Sequence, residues 1–151
     1  MNRNYYQNSI SGFIDEDQSS IFGHLSSNYE FSLDENQKNS WLIQIKYLKC
    51  WLVSFEGYIS FEQIIPRMGK RIDCVVIIEN IIFILEFKVG SMNYDLGAIN
   101  QTIDYALDLK NFHSQSHQSI IAPVLICTDA EEISDQTKNI SPVSYTHLTL
   151  P

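Results

Sequence analysis

A chain of 151 residues, 44% hydrophobic and 19% charged, is long enough for one domain with a real core and too apolar to stay disordered. Its formal charge of −8 excludes a generic basic nucleic-acid coat. It does not exclude a nuclease, which needs carboxylates at a metal and only local cations at phosphate.

No apolar run approaches the ~20 residues of a membrane span, and no secretory leader follows Arg3. Cys50, Cys74 and Cys127 fit neither a disulfide framework nor a zinc spacing, so a cytoplasmic protein with reduced thiols and no membrane partner is expected. Residues 1–32 are polar, with scattered apolar points at Ile10, Phe13, Ile14, Ile21, Phe22 and Leu25. They predict an N-terminal arm or short helix packed on a domain that spans residues 33–142. Ser32-Leu-Asp-Glu35 fits a capping box, the serine accepting from an early amide and the glutamate reaching back. Trp41, Ile45, Leu48 and Leu52 then carry a helix to about Val53, and Gly57 breaks it.

Tyr58 to Ile65 is β-rich and stops at Pro66, with Met68-Gly69 as a turn. Asp73 begins an apolar run, Cys74 to Ile78, that turns at Glu79-Asn80 and returns as Ile81 to Leu85, ending in Glu86-Phe87-Lys88. After a loop at Gly90, Asp95 to about Phe112 reads as a second helix with Leu96, Ile99, Ile103 and Ala106 on its buried face. Ser119 to Cys127 is a last strand, in which Pro123 implies a bulge or an edge. The order helix, three strands, helix, strand predicts an α/β fold, a mixed sheet flanked by helices. No repeat and no glycine-rich phosphate loop is present.

The chemistry concentrates at Asp73, Glu86 and Lys88. Alternation along a strand points Glu86 and Lys88 the same way, and a charged pair ending an apolar run is costly to bury uncompensated. Asp73 and Glu86 on paired strands are placed to hold Mg2+ or Mn2+ with the Phe87 carbonyl as a third ligand, and Lys88 to orient or deprotonate a water. Taken singly, a Glu-x-Lys is ordinarily a surface pair and an aspartate before a strand a turn residue. Arg67, Lys70 and Arg71 form either a solvated turn or a phosphate-binding cluster beside the acid. Gln101 and Tyr105, four apart on the second helix, share one face and reach the site if that helix packs behind the hairpin. Glu35 or Glu62 is a further acid for a second ion. His113 and His117 read as surface or capping residues, and Lys110 as favouring a helix C-terminus.

Gln101-Thr-Ile-Asp-Tyr105 resembles the Gln-x-x-x-Tyr motif of RecB-type nucleases in the PD-(D/E)XK superfamily. Pro66-Arg-Met-Gly-Lys-Arg-Ile-Asp73, Leu85-Glu-Phe-Lys-Val-Gly90 and Asp104-Tyr-Ala-Leu-Asp-Leu-Lys-Asn-Phe-His113 resemble, more closely, the N-terminal domain of a bacterial family. Its members join such a domain to a superfamily-1, Schlafen-group-3-like DNA/RNA helicase domain. The resemblance spans roughly Gln37 to Ala130. It implies a restriction-endonuclease-like αβββαβ core, with Asp73, Glu86 and Lys88 in the metal-and-catalysis motif and Gln101 and Tyr105 in the helix motif. It further implies Mg2+ or Mn2+, DNA or alternatively RNA as substrate, and an ATP-dependent helicase domain farther along the native chain. Val143 to Pro151 resembles the translation of a transposon-end sequencing adapter, so the native sequence is expected to be legible only to about Pro142 and the chain to be truncated. Two other readings compete: a non-catalytic nucleic-acid-binding module, and a scaffold in which Glu86 and Lys88 are an internal ion pair.

Overall fold

The computed structural model describes residues 3–65, 68–112 and 118–131. Arg67, His113, His117 and the adapter-like tail, residues 143–151, lie outside these. Five strands, β1 (Tyr6–Ser9), β2 (Tyr58–Ile64), β3 (Arg71–Ile78), β4 (Ile81–Lys88) and β5 (Ile120–Cys127), stand side by side in chain order. The helices are α1 (Ile10–Asp15), α2 (Gln18–Asn28), α3 (Glu35–Trp51) and α4 (Leu96–Phe112). The first four strands are antiparallel to their neighbours, while β5 runs parallel to β4 after the α4 crossover, from Ile81↔Ile120 to Lys88↔Cys127. The fold is therefore α/β with a mixed sheet and helices. Among the described residues no helix is long and apolar enough to cross a membrane.

Two apolar clusters divide the core. One joins Ile59, Phe61, Cys74, Val76, Leu85 and Phe87 of the sheet to Phe13, Ile21, Leu25, Trp41, Ile45 and Leu48 of α1, α2 and α3. The other joins Ile72, Val75, Ile82 and Ile84 to Tyr105, Ala106 and Leu109 of α4. Trp41, Ile45, Leu48 and Leu52 are buried at the helical spacing expected of them. Pro123 falls on β5, at the edge of the described sheet, where a missing amide costs least.

The N-terminal stretch departs from the expected arm. It forms β1, α1 and α2 and buries Phe13, Ile21 and Leu25 completely. The Lys49 ammonium, on α3, donates to the Phe13 and Ile14 carbonyls at 2.8 Å each, capping the last turn of α1 and tying this segment to the domain. The α3 cap differs too. Asp34, not Ser32, accepts from the Gln37 amide at 2.8 Å, and Glu35 pairs with Lys38 at 2.7 Å instead of reaching back. On α4 the buried face is rotated from the expected one: Ala98, Thr102, Tyr105, Ala106 and Leu109 are buried, whereas Leu96 is 70% exposed in the first turn. Ala98 and Ala106 are small yet buried, a signal that a ranking by hydrophobicity passes over.

Gly57 stands after α3 with φ +150°, and a Cβ there would lie 1.9 Å from the Ile77 carbonyl oxygen. Only glycine lets this strand entry pass so close to β3.

Candidate active site

The site forms where β3 and β4 separate. Cys74↔Leu85 is the last pair between them at this end. One step beyond it, Asp73 stands across from Glu86. There the Asp73 carboxylate, through Oδ2, accepts the Phe87 amide at 2.8 Å, so a side chain does what a ladder carbonyl would otherwise do. The face alternation of β3 also breaks here. Ile72 joins the α4-side cluster although Cys74 and Val76 join the opposite one, and a regular strand would put all three on one face.

On the other side of β3, Phe61↔Cys74 and Gln63↔Ile72 bracket Glu62, which faces Asp73 across the strands. Glu62 has φ +54°, an uncommon conformation for a residue with a side chain. It is held at both ends: the Trp41 indole donates to its Oε1 at 2.9 Å, and the Arg71 guanidinium donates to its carbonyl at 2.8 Å. Arg71 also lies 4.1 Å over the Tyr5 ring and 3.9 Å from Glu30. The guanidinium lies on the N-terminal side of the sheet, with Nη2 buried and making no hydrogen bond. Lys70 faces the other way, its ammonium 5.9 Å from the Tyr105 ring centre.

Glu86 is 5% exposed. Its Oε1 lies 3.4 Å from the Lys88 ammonium, a long approach for a charged pair, and its Oε2 is buried with no hydrogen-bond partner. Lys88 also donates to Gln101 Oε1 at 3.3 Å, and Gln101 Nε2 donates to the Tyr105 hydroxyl at 2.6 Å. Gln101 and Tyr105 therefore do reach the acid–lysine cluster, in a chain Glu86–Lys88–Gln101–Tyr105 that bridges β4 and α4. Lys110 instead donates to the Ser119 carbonyl at 3.0 Å.

Burial, reinforced by the charge of Asp73, raises the Glu86 carboxyl to about 7, against the pull of Lys88. Burial likewise raises Asp73 to about 6, while the Phe87 amide and Lys88 oppose it. Glu62 is pushed to about 7 by burial, with the Trp41 bond and Arg71 opposing and the Asp73 charge adding. Tyr105 is raised by burial, partly offset by Gln101. Three acids thus crowd a site whose facing cations, among the described residues, are Lys88 and, farther out, Lys70. Of the two further acids considered from the sequence, Glu62 lies beside Asp73, and Glu35 is exposed and paired with Lys38. Strand register could have found Glu62; the Trp41 contact crosses 21 residues and had no local signal.

Among the described residues no three His, Cys, Asp or Glu side chains form a ready-made metal cluster. Two carboxylates, joined by a neighbouring backbone carbonyl, would suit a hard divalent cation that keeps several waters. The unpartnered, buried Glu86 Oε2 is the atom such a cation would satisfy. Compared with known protein families, with curated proteins and with solved structures, the chain matches none of them.

Proposed function

We propose that this chain is a nuclease domain with a restriction-endonuclease-like αβββαβ core, hydrolysing phosphodiester bonds of DNA or RNA with Mg2+ or Mn2+. The core runs from α3 through β2, β3, β4 and α4 to β5. On this reading Asp73, Glu86 and the Phe87 carbonyl hold the cation. A bound divalent ion would supply charge relief at the phosphate and a water of lowered pKa.

The observation that carries this reading is the acid pair at the end of β3 and β4, half-buried Asp73 and buried Glu86, with one Glu86 oxygen left without any partner. The chain's own residues would do the following. Asp73, anchored by the Phe87 amide, presents its remaining oxygen. Lys88, steered by Gln101, holds its ammonium where it can orient the attacking water or meet developing negative charge. Tyr105 fixes Gln101 in turn. The setting is that of the front part of a nuclease–helicase used in DNA processing, repair or defence, in the cytoplasm, with the helicase lying farther along the native chain.

A scaffold reading is favoured by one contact, the direct Lys88–Glu86 pair. It leaves both the unpartnered Oε2 and the crowding of a second and third acid without a cause, since a buried ion pair adds little net stability. Incubating the chain with labelled single- and double-stranded DNA and RNA, with Mg2+ or Mn2+, separates the two. Cleavage that a chelator stops and that Asp73→Ala or Lys88→Ala abolishes is expected; cleavage at an unchanged rate in both variants sinks the site assignment.

A further inference from the structure

The large apolar residues of α4 are not the ones the sheet uses. Ala98, Thr102, Tyr105, Ala106 and Leu109 are buried along one side of the helix. Leu96, Ile103 and Leu107, at i, i+7 and i+11, lie in one line well round the helix from them. Over its 17 residues α4 thus carries a second apolar stripe, and neither apolar cluster of the core includes it. Leu96 is 70% exposed, and Ile103 and Leu107 are half-buried. Met92 and Tyr94, both exposed, add apolar surface just before the helix.

We propose that this outward stripe is a docking surface for a basic amphipathic helix of a partner protein. Charge decides between occupants. Asp104 and Asp108, one turn apart, run along one side of the stripe, and among the described residues neither pairs with a cation. Carboxylates beside apolar surface repel phosphate, so on a chain of net charge −8 neither nucleic acid nor an anionic lipid surface suits this face. A second copy of the chain, packed antiparallel, would set the same acidic side against itself. On the other side of the stripe Ile99 is half-buried and Lys110 donates to the Ser119 carbonyl, so the demand for cations is one-sided. A helix with an apolar face and lysines or arginines one turn apart on one flank meets both features. Its apolar face covers Leu96, Ile103 and Leu107, and its cations reach Asp104 and Asp108. This docking does not rest on the nuclease reading.

Fluorescence anisotropy with the 151-residue chain and a labelled helical peptide of about 18 residues tests it. The probe carries leucines on one face and lysines along one flank. The controls are a scrambled peptide of the same composition and a peptide with glutamate for each lysine. The patterned basic peptide should bind at least tenfold tighter than either control. Leu96→Gln and Asp104→Lys, both at exposed positions, should each weaken it about tenfold and leave thermal melting unchanged, while Asp104→Lys should strengthen binding of the glutamate peptide. Equal binding of the scrambled peptide, or binding indifferent to both substitutions, would overturn the docking assignment. Leu96-dependent self-association in sedimentation would overturn it too, by giving the face to a second copy. Leu96-dependent binding to vesicles of phosphatidylcholine and phosphatidylglycerol would give it to a membrane instead, with the same result. None of these outcomes bears on cleavage, which Asp73→Ala reads separately.

Discussion

Replacing Glu86 with glutamine should stabilise the metal-free protein above neutral pH and do little for it in acid. Glu86 ionises near pH 7 in the fold against 4.5 for an ordinary glutamate, so the folded chain holds a proton that the unfolded chain has released. The stability this group contributes is complete below about pH 4.5 and is lost as the pH rises through 7. At about 1.4 kcal/mol per pH unit, its ionisation costs ~3 kcal/mol by pH 8. That figure already includes the opposing pull of Lys88. The variant should therefore gain about 3 kcal/mol at pH 8, or roughly 6–12 °C in Tm for a chain of this size. Thermal melts of both proteins in EDTA, at half-unit steps from pH 4.5 to 8.5, read this directly. A second arm adds millimolar Mn2+ at pH 8, which competes with the proton for the same oxygens and should raise the wild-type Tm well above that of Glu86→Gln. Parallel melting curves across the whole pH range would refute the buried-acid account. An equal Mn2+ shift in both proteins would mean that the ion binds elsewhere.

Lys49→Met should cost about 3 kcal/mol in urea unfolding, because the α1 carbonyls of Phe13 and Ile14 lose a charged donor while remaining partly buried. Arg71→Ala should lower stability by about 2–3 kcal/mol through the freed Glu62 carbonyl and the lost Tyr5 contact, whereas Lys70→Ala should change stability by less than about 0.5 kcal/mol and weaken nucleic-acid binding instead. Gly57→Ala should destabilise by more than about 2 kcal/mol, read as a lower midpoint in urea, since the added methyl meets the Ile77 backbone oxygen.

The central hairpin was legible because two apolar runs flank a two-residue turn, and the α3 face because Trp41, Ile45, Leu48 and Leu52 repeat at helical spacing. Both signals are local. The N-terminal strand and helices were not legible. β1 is four residues long and gains its place only by pairing with β2, far along the chain, and its helices owe part of their anchorage to Lys49 on α3. The α4 face is not legible because small Ala98 and Ala106 are buried while the larger Leu96, in the first turn, is exposed. At the site, Asp73, Glu86, Lys88, Gln101 and Tyr105 could be named from spacing, and the structure brings them into one neighbourhood. Arg71 could not be told from Lys70 in sequence. The break in alternation at Asp73 turns one of them inward and the other toward α4, and nothing in the residue types announces a break.

That break also explains why the acids remain where they are. In a regular ladder the Phe87 amide would be satisfied by backbone and Asp73 would be replaceable. With the strands parted, removing the Asp73 carboxylate leaves the amide without its partner, so the acid is fixed structurally on one oxygen. No such argument covers Glu86, whose Oε2 bonds to nothing and whose charge is opposed by Asp73 on one side and only loosely met by Lys88 on the other. A glutamine or an apolar residue there would satisfy the fold better. Such local inconsistencies are characteristic of functional sites, and on the proposed nuclease reading a divalent cation would remove this one through its charge and its preference for oxygen.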